Sequence, residues 1–178
     1  MFEPRGHADM YGALLVEPDL PGADLAVLFM HNEGYSTMCG HAIIALGRYA
    51  VDQGLVPAGM DVTHVHIECP CGMVRAEVAM RDGKAADVSF ESVPSFVFAR
   101  DKVLTLEPWG DISFDIAYGG AFYALADASQ FGLEFGRDPV ADFVEAADQL
   151  TRAAQAAIPL GHPDADDLAF LYGTILTD

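Results

Sequence analysis

The chain has 178 residues, of which 52% are hydrophobic and 20% are charged, so it can bury the core of one domain or of one lobe of a larger protein. Its 27 acidic and 9 basic residues give a formal net charge of −18, which argues against nucleic acids and anionic membranes as partners. The apolar stretches are shorter than the ~18 residues that a membrane span needs. Because the N-terminal sequence also lacks a secretory signal, we expect a cytoplasmic protein.

The first part of the chain predicts strands around one short helix. Strands are predicted where short aliphatic and aromatic runs are bounded by Pro, Gly or polar residues, at 10–18, 25–33 and 62–69. From Ser36 or Thr37 the apolar residues recur every three or four positions, which indicates a helix. Gly54 stands where that helix is expected to end.

The second part predicts mainly extended chain and one longer helix. Residues 71–91 predict a hairpin that turns at Asp82-Gly83. Further extended segments are predicted at 93–106, at 112–129 on both sides of Gly119-Gly120, and at 168–178. Residues 138–158 have the longest amphipathic pattern and begin with Asp-Pro. The predicted fold class is therefore α+β, a mostly antiparallel sheet around a central helix with one outer amphipathic helix.

Cys39 is the first candidate functional residue. A helix beginning near Cys39 would place the thiol beside unpaired N–H groups, which favour an anion such as a carboxylate. The same field favours the thiolate, which is the reactive form of cysteine. Gly40 would let a ligand approach the backbone, and His41 could hydrogen-bond a polar substituent. A buried cysteine that only fills space explains the spacing equally well.

A second candidate group contains two histidines and two cysteines. His64, His66, Cys69 and Cys71 are all zinc-ligand types. Both histidines would lie on one strand face and a single proline separates the cysteines, so an ordinary strand entering a tight corner is favoured. We predict no metal and no cofactor. Disulfides are not expected in a cytosolic chain with three cysteines.

Other polar and glycine-containing segments are open to two interpretations. Tyr118-Gly119-Gly120 matches no phosphate-binding motif, and it is either the wall of a pocket or a β-bulge, with the bulge slightly favoured. Arg5-Gly6-His7 either faces a substrate or is a solvated start of the chain. His162-Pro163-Asp164 is interpreted as a turn.

Several short segments along the chain resemble those of a known protein family. They are 4-PRGHADMYGA-13, 31-HNEGYSTMCGH-41, 67-IECPCG-72, 93-VPSF-96, 115-DIAYGGAFYAL-125 and 162-HPDADDLAFLYGTILTD-178. These segments resemble the proline racemase family, of which the MCGH motif is a marker. The forms at 31–41 and 162–178 point to its trans-3-hydroxy-L-proline dehydratase branch.

This resemblance implies a fold like that of diaminopimelate epimerase. Such a fold has two similar lobes, each a sheet wrapped round a central helix, with the active site in the cleft between them. Residues 1–178 would then be an incomplete first lobe with the second lobe absent, and the intact enzyme could be a homodimer. A small imino acid is the implied substrate, and no cofactor or metal is implied.

The resemblance also implies a role for each candidate residue. Cys39 would abstract the Cα proton, and Gly40 and His41 would offer backbone N–H groups to the substrate carboxylate. The His41 side chain would lie near the ring hydroxyl. Tyr118, Gly119 and Gly120 would contribute backbone to the pocket.

The reaction implied is loss of the 3-hydroxyl from the carbanion, which gives an enamine and then Δ1-pyrroline-2-carboxylate. The family's second catalytic residue, Thr in dehydratases and Cys in racemases and epimerases, lies in a Ser-Pro-Thr/Cys-Gly-Thr-Gly motif that this sequence lacks. Three interpretations therefore stay open. They are part of a dehydratase, part of a proline racemase or 4-hydroxyproline 2-epimerase, and an inert truncated half-enzyme.

Overall fold

A computed structural model describes residues 10–31 and 34–178, and the chain divides into two compact units. Unit 1 is Met1–Val93 and unit 2 is Pro94–Asp178. Arg5-Gly6-His7 and parts of the family-like segments 4–13 and 31–41 lie outside the described residues. The assignment of all 178 residues to one incomplete lobe stays a prediction.

Unit 1 pairs a mixed sheet with one helix. Its strands are β1 (Tyr11–Val16), β2 (Leu25–His31), β3 (Gly34–Ser36), β4 (Val62–Cys69), β5 (Gly72–Arg81) and β6 (Lys84–Glu91), and its helix is α1 (Gly40–Asp52). The strand order is β1-β2-β4-β5-β6, with β3 paired to β2. Among the described strands of this unit, β2 and β4 are the parallel neighbours. The chain between them runs through α1, because parallel neighbours need a crossover connection.

Local sequence signals account for most of unit 1. The strand predicted at 62–69 is confirmed, with apolar residues buried at alternate positions of β4. The predicted hairpin is also confirmed, since Asp82 and Gly83 both have positive φ, 51° and 72°, as a tight hairpin turn requires. The predicted helix start at Ser36 or Thr37 is wrong. Helix α1 begins at Gly40 because the preceding residues pair with β2 as β3.

Helix α1 packs very closely on the sheet of unit 1. Its buried residues are Ile43, Gly47 and Ala50, which lie on one face of the helix. A Cβ atom built on Gly47 would lie 3.1 Å from Val88 Cγ1 and 3.2 Å from Ala76 Cβ. Even a methyl group at position 47 would therefore make very tight contacts with β5 and β6, which glycine avoids.

Unit 2 has the same combination of antiparallel strands and one crossover helix. Its elements are β7 (Phe96–Leu106), β8 (Gly110–Tyr118), β9 (Phe122–Asp127), α2 (Val140–Ala157) and β10 (Leu171–Thr177). Short 3-10 turns cover Ala128–Phe131 and Asp166–Leu168. The strand order is β10-β9-β8-β7, and β9 and β10 are parallel neighbours joined through α2.

The predicted α+β class is confirmed, and most strand pairs are antiparallel as expected. The two parallel pairs were not predicted. The predicted helix at 138–158 is confirmed as α2, whose buried residues Ala146, Leu150 and Ala154 form one face. This helix contacts β7, β9 and β10, so it covers the sheet of its own unit.

Within residues 10–31 and 34–178, no helix combines the length and the apolar character needed to cross a membrane.

The close packing at Gly47 can be tested by substitution. We expect Gly47→Val to lower the free energy of unfolding by about 1–3 kcal/mol, because the added side chain would overpack the contact with Val88 and Ala76. Ala45→Val, on the exposed side of the same helix, should cost only about 0.6 kcal/mol through helix propensity. Urea unfolding followed by circular dichroism measures both. Equal losses in the two variants would contradict the packing argument.

Candidate active site

Cys39 caps the N-terminus of α1 with its backbone. Its φ of −147° and ψ of 106° are extended, and its carbonyl accepts the first helical hydrogen bond, from the Ile43 N–H at 3.0 Å. The N–H groups of Gly40, His41 and Ala42 therefore lie outside the helical hydrogen-bond series. Within the described residues, the Cys39 side chain makes no capping hydrogen bond. The thiol therefore does not stabilise the helix end by capping it.

The first turn of α1 favours an anion. No residue of the Gly40–Ile43 sequence is acidic, although the chain contains 27 acidic residues. The positive end of the helix dipole is therefore not compensated by a carboxylate of its own first turn. His41 is exposed and Cys39 is half-buried, so an approaching molecule can reach both. Cys39 directly precedes the first turn of α1, and the roles of Cys39, Gly40 and His41 stay predictions.

Two hydrogen bonds fix the segment that leads into Cys39. The Ser36 hydroxyl donates to the Met38 carbonyl at 2.9 Å. The Cys71 backbone N–H donates to the Thr37 carbonyl at 3.2 Å. Ser36 and Thr37 are 3% and 8% exposed, so this connection is part of the core of unit 1. The position of the thiol thus depends on β3 before it and on the turn between β4 and β5.

Gly40 rests directly on an aromatic ring. A Cβ atom built on Gly40 would lie 3.0 Å from Phe90 Cζ and 3.4 Å from Phe90 Cε1. Phe90 belongs to β6 and packs against the core. A methyl group at position 40 would therefore press on this ring, and glycine also leaves the N–H groups approachable. Sequence reasoning missed Phe90, because nothing in the local pattern of β6 distinguishes it from an ordinary apolar strand residue.

Two buried sulfur atoms lie near Cys39. The three cysteines, all in the described part of the chain, are free. Cys69 ends β4 and Cys71 stands in the tight turn before β5, which confirms the predicted corner. Hydrogen bonding to Cys71 and burial raise the pKa of the Cys69 thiol, and the negative charges of Cys71, Glu68 and Cys39 raise it further. Cys39 is therefore within electrostatic range of Cys69.

The zinc-ligand types of β4 are divided between the two faces of the strand. His64 and His66 alternate with buried residues and face outward, whereas Cys69 is buried. His64 faces Glu77 at 3.6 Å and His66 faces Asp24 at 3.3 Å. In residues 10–31 and 34–178, no group of three or more His, Cys, Asp or Glu residues could hold a metal ion.

Tyr118-Gly119-Gly120 belongs to unit 2 and forms the connection between β8 and β9. The favoured bulge interpretation is wrong, because these residues close a hairpin in which the Gly119 N–H donates to the Ala121 carbonyl at 3.2 Å. Gly120 has a φ of 101°, which favours glycine. The Tyr118 ring is 4% exposed and packs against His162, with ring centroids 4.7 Å apart. The role of this segment as pocket backbone stays a prediction.

His162 has a structural role in the turn that follows α2. Its Nδ1 accepts hydrogen bonds from the N–H groups of Asp164 and Ala165, both at 3.2 Å. In the neutral ring the proton is consequently on Nε2. The predicted turn at 162–164 is confirmed.

Two surface concavities lie elsewhere. One of about 600 Å³ in unit 2 is lined in part by Arg137, whose guanidinium is held by Glu134 and Asp138. The other, of about 420 Å³ in unit 1, is lined in part by His64 and Glu77. Cys39, Gly40 and His41 line neither of these two. The chemistry of the helix terminus, rather than the depth of a cavity, identifies the candidate site.

Comparison with known proteins identifies the family of the chain. The family model for proline racemase matches residues 1–178. The chain belongs to the proline racemase family. This match confirms the resemblance seen in the sequence.

Individual relatives match the whole chain. It is 56% identical over 178 residues to a trans-L-3-hydroxyproline dehydratase of Saccoglossus kowalevskii, with 100% of this chain and 55% of the relative covered. It is also 56% identical over 182 residues to the trans-3-hydroxy-L-proline dehydratase of Homo sapiens, with 100% and 51% covered. The chain thus spans about half the length of these curated relatives.

A solved structure supports the fold. The crystal structure of a hydroxyproline epimerase from Agrobacterium vitis, with bound trans-4-hydroxy-L-proline, matches with a TM-score of 0.91 and 31% identity. The match covers 100% of this chain and 52% of that one. The predicted diaminopimelate epimerase-like fold is confirmed by this proline racemase relative.

The contact between Gly40 and Phe90 gives a testable coupling. We expect Gly40→Ala to destabilise the wild-type chain but not a Phe90→Leu background, with a coupling free energy of about 1 kcal/mol, because the shorter side chain makes room for the new methyl group. Urea unfolding of the two single variants and the double variant measures this coupling. His41→Ala, at the exposed neighbouring position, serves as the control and should show no coupling to Phe90→Leu. Additive effects of Gly40→Ala and Phe90→Leu would disprove the contact.

Proposed function

We propose that this chain supplies the Cα-proton base of a cofactor-independent trans-3-hydroxy-L-proline dehydratase, and that Cys39 is that base. The observation that carries the proposal is the position of Cys39 at the N-terminus of α1, where its thiol makes no capping hydrogen bond. The chain is also 56% identical to proteins named as this dehydratase. The substrate is a small imino acid whose carboxylate matches the anion-favouring first turn of the helix.

The proposed chemistry starts at the substrate carboxylate. The N–H groups of Gly40 and His41 bind it, and this lowers the cost of the negative charge that develops when the neighbouring Cα loses its proton. The Cys39 sulfur, deprotonated, accepts that proton. The His41 side chain is exposed next to the same turn and hydrogen-bonds the ring hydroxyl. Together the three consecutive residues contact the carboxylate, the Cα hydrogen and the ring hydroxyl of the substrate.

The electron pair left at Cα then expels the 3-hydroxyl. The C3–O bond breaks as a Cα=C3 double bond forms, and the hydroxide leaves as water after taking up a proton. The resulting enamine tautomerises to Δ1-pyrroline-2-carboxylate. Substrate and product differ by one molecule of water, so no oxidant, reductant or cofactor enters the balance.

We also propose that the active enzyme has further structure beyond this half. In the proposal the second catalytic group and the second lobe lie outside the 178 residues, and two copies associate as a homodimer. A cytoplasmic location is proposed because the three cysteines are free, and reducing compartments keep thiols in this form.

A racemase or 4-hydroxyproline 2-epimerase is the second candidate. It is favoured by the structural match to the Agrobacterium vitis epimerase that holds trans-4-hydroxy-L-proline. The two candidates share Cα deprotonation by Cys39 and differ in the next step, which is either loss of the 3-hydroxyl or return of a proton to the opposite face. Replacing the matched half of each relative with residues 1–178 separates them, because the chain should restore more of the parent activity in the host of its own subtype.

The role of Cys39 is tested in the Saccoglossus kowalevskii dehydratase carrying residues 1–178 in place of its matched half. We expect this chimera to convert trans-3-hydroxy-L-proline to the cyclic imine. Cys39→Ser should lower kcat by about 10²–10⁴-fold, because the serine hydroxyl is a poor proton acceptor at neutral pH. Ala45→Ser, on the exposed side of the same helix, is the matched control and should leave kcat unchanged. Retained turnover in a folded Cys39→Ser chimera would remove Cys39 from the mechanism.

The isolated 178-residue chain should show negligible turnover. With one half of the site, the substrate stays open to water and the second catalytic group is absent. Incubation with trans-3-hydroxy-L-proline, followed by proton NMR for the cyclic imine, measures this directly. Robust imine formation by the chain alone would contradict the two-lobe proposal while leaving the role of Cys39 to the chimera experiment.

A further inference from the structure

The three cysteines of unit 1 belong to or pack against one apolar core, which also holds the segment that leads into α1. Cys69 and Cys71 are 5% and 9% exposed and flank the single Pro70 in the turn between β4 and β5. Cys39 is half-buried and packs against the same apolar core that contains both of them. Cys39 is thus the most accessible of the three cysteines to a small dissolved reagent.

A backbone hydrogen bond ties the turn to the active-site segment. The Cys71 N–H donates to the carbonyl of Thr37, two residues before Cys39, at 3.2 Å. The Cys39 side chain, which makes no capping hydrogen bond within the described residues, has no such tether of its own. The backbone of Cys71 is therefore held next to the segment that carries Cys39.

The two buried thiols are chemically different. The Cys69 thiol donates a hydrogen bond to the Ile67 carbonyl, with 3.8 Å between sulfur and oxygen, and it also interacts with Cys71. The hydrogen bond from Cys69 lowers the pKa of the Cys71 thiol, although burial opposes this change. The same hydrogen bond raises the pKa of Cys69. Because the thiolate is the nucleophile in disulfide formation, Cys71 is the better partner for an oxidised Cys39.

We propose that Cys39 and Cys71 form a reversible disulfide, and that a peroxide starts its formation by oxidising Cys39. The Cys39 thiolate attacks one peroxide oxygen, the O–O bond breaks, and Cys39 becomes a sulfenic acid while hydroxide leaves. The Cys71 thiolate then attacks the Cys39 sulfur, so that an S–S bond forms, the S–O bond breaks and a second hydroxide leaves. Two thiols and one hydrogen peroxide thus give one disulfide and two waters, and a dithiol reductant restores both thiols.

This site is independent of which substrate the enzyme uses. The disulfide removes the Cys39 sulfur from any proton transfer, and it also protects that sulfur from irreversible oxidation to the sulfinic and sulfonic acids. A disulfide requires Cα atoms about 4.4–6.8 Å apart, so its formation reports directly on how near the turn lies to the start of α1. The test therefore needs no activity assay and is separate from the tests of the proposed function.

Trypsin cleavage places Cys39 in a different peptide from Cys69 and Cys71. The chain has no Lys or Arg between Arg5 and Arg48 or between Arg48 and Arg75, so Cys39 falls in peptide 6–48, and Cys69 and Cys71 fall in peptide 49–75. The 178-residue chain is treated with hydrogen peroxide, free thiols are blocked with N-ethylmaleimide in acid denaturant, and the digest is analysed by mass spectrometry. We expect peptide 6–48 cross-linked to 49–75, with N-ethylmaleimide on Cys69 and loss of the cross-link after dithiothreitol.

Other products overturn the proposal. A disulfide within peptide 49–75 would show that Cys69 and Cys71 oxidise each other. Three other results would each exclude the Cys39–Cys71 site. They are a Cys39 sulfinic acid without a cross-link, a Cys39 that carries only N-ethylmaleimide, and N-ethylmaleimide on Cys71 in the cross-linked species. The position of the N-ethylmaleimide in the wild-type chain decides the partner without any variant, so a variant that fails to fold does not weaken the test.

Two alanine variants form a matched pair, since each removes one buried thiol of the same turn. Cys71→Ala should lower the yield of cross-linked peptide about tenfold or more and let Cys39 proceed to the sulfinic acid. Cys69→Ala should retain the cross-link between peptides 6–48 and 49–75. Equal cross-linking in the two variants would overturn the assignment of Cys71.

Discussion

The contact between one face of α1 and the sheet of unit 1 is the constraint on which the candidate site depends. Positions 40, 43, 47 and 50 lie on one helix face, and glycine occupies the first and third of them. Gly47 meets Val88 and Gly40 meets Phe90, which are alternate residues on the same side of β6. The β6 side chains on this face therefore limit how closely the helix approaches the sheet. They thereby also influence the position of Cys39 and of the first free N–H groups.

The same core also carries the thiol chemistry. The turn between β4 and β5 places Cys71 against Thr37, so the hairpin that supplies much of the apolar face also holds the segment leading into Cys39. A change that loosens this hairpin would move the thiol and its N–H groups together. Stability and chemistry are therefore coupled in unit 1, as is expected where a site is built on packed elements rather than on a mobile loop.

Features that depend on short-range patterns could be predicted from the sequence. Buried and more exposed residues alternate along strand β4, and the Asp82-Gly83 pair favours the positive φ angles of a hairpin turn. Helix α2 has a long amphipathic repeat. The thiol at a helix start was predicted for the same reason. Features that depend on distant partners could not be predicted. Helix α1 starts later than its periodicity indicates because residues 34–36 pair with β2, and the need for glycine at position 40 comes from Phe90, far along the chain.

The two crossover helices show why topology alone does not make the site. In each unit a helix joins two parallel neighbouring strands, α1 between β2 and β4 and α2 between β9 and β10. The first turn of α2 contains Asp142, whose carboxylate compensates the positive end of that helix dipole. The first turn of α1 has no acidic residue and has Cys39 at its cap. Any anion that this turn favours must therefore come from outside the turn itself. The residues at the helix terminus, rather than the arrangement of strands, distinguish the start of α1 from the start of α2.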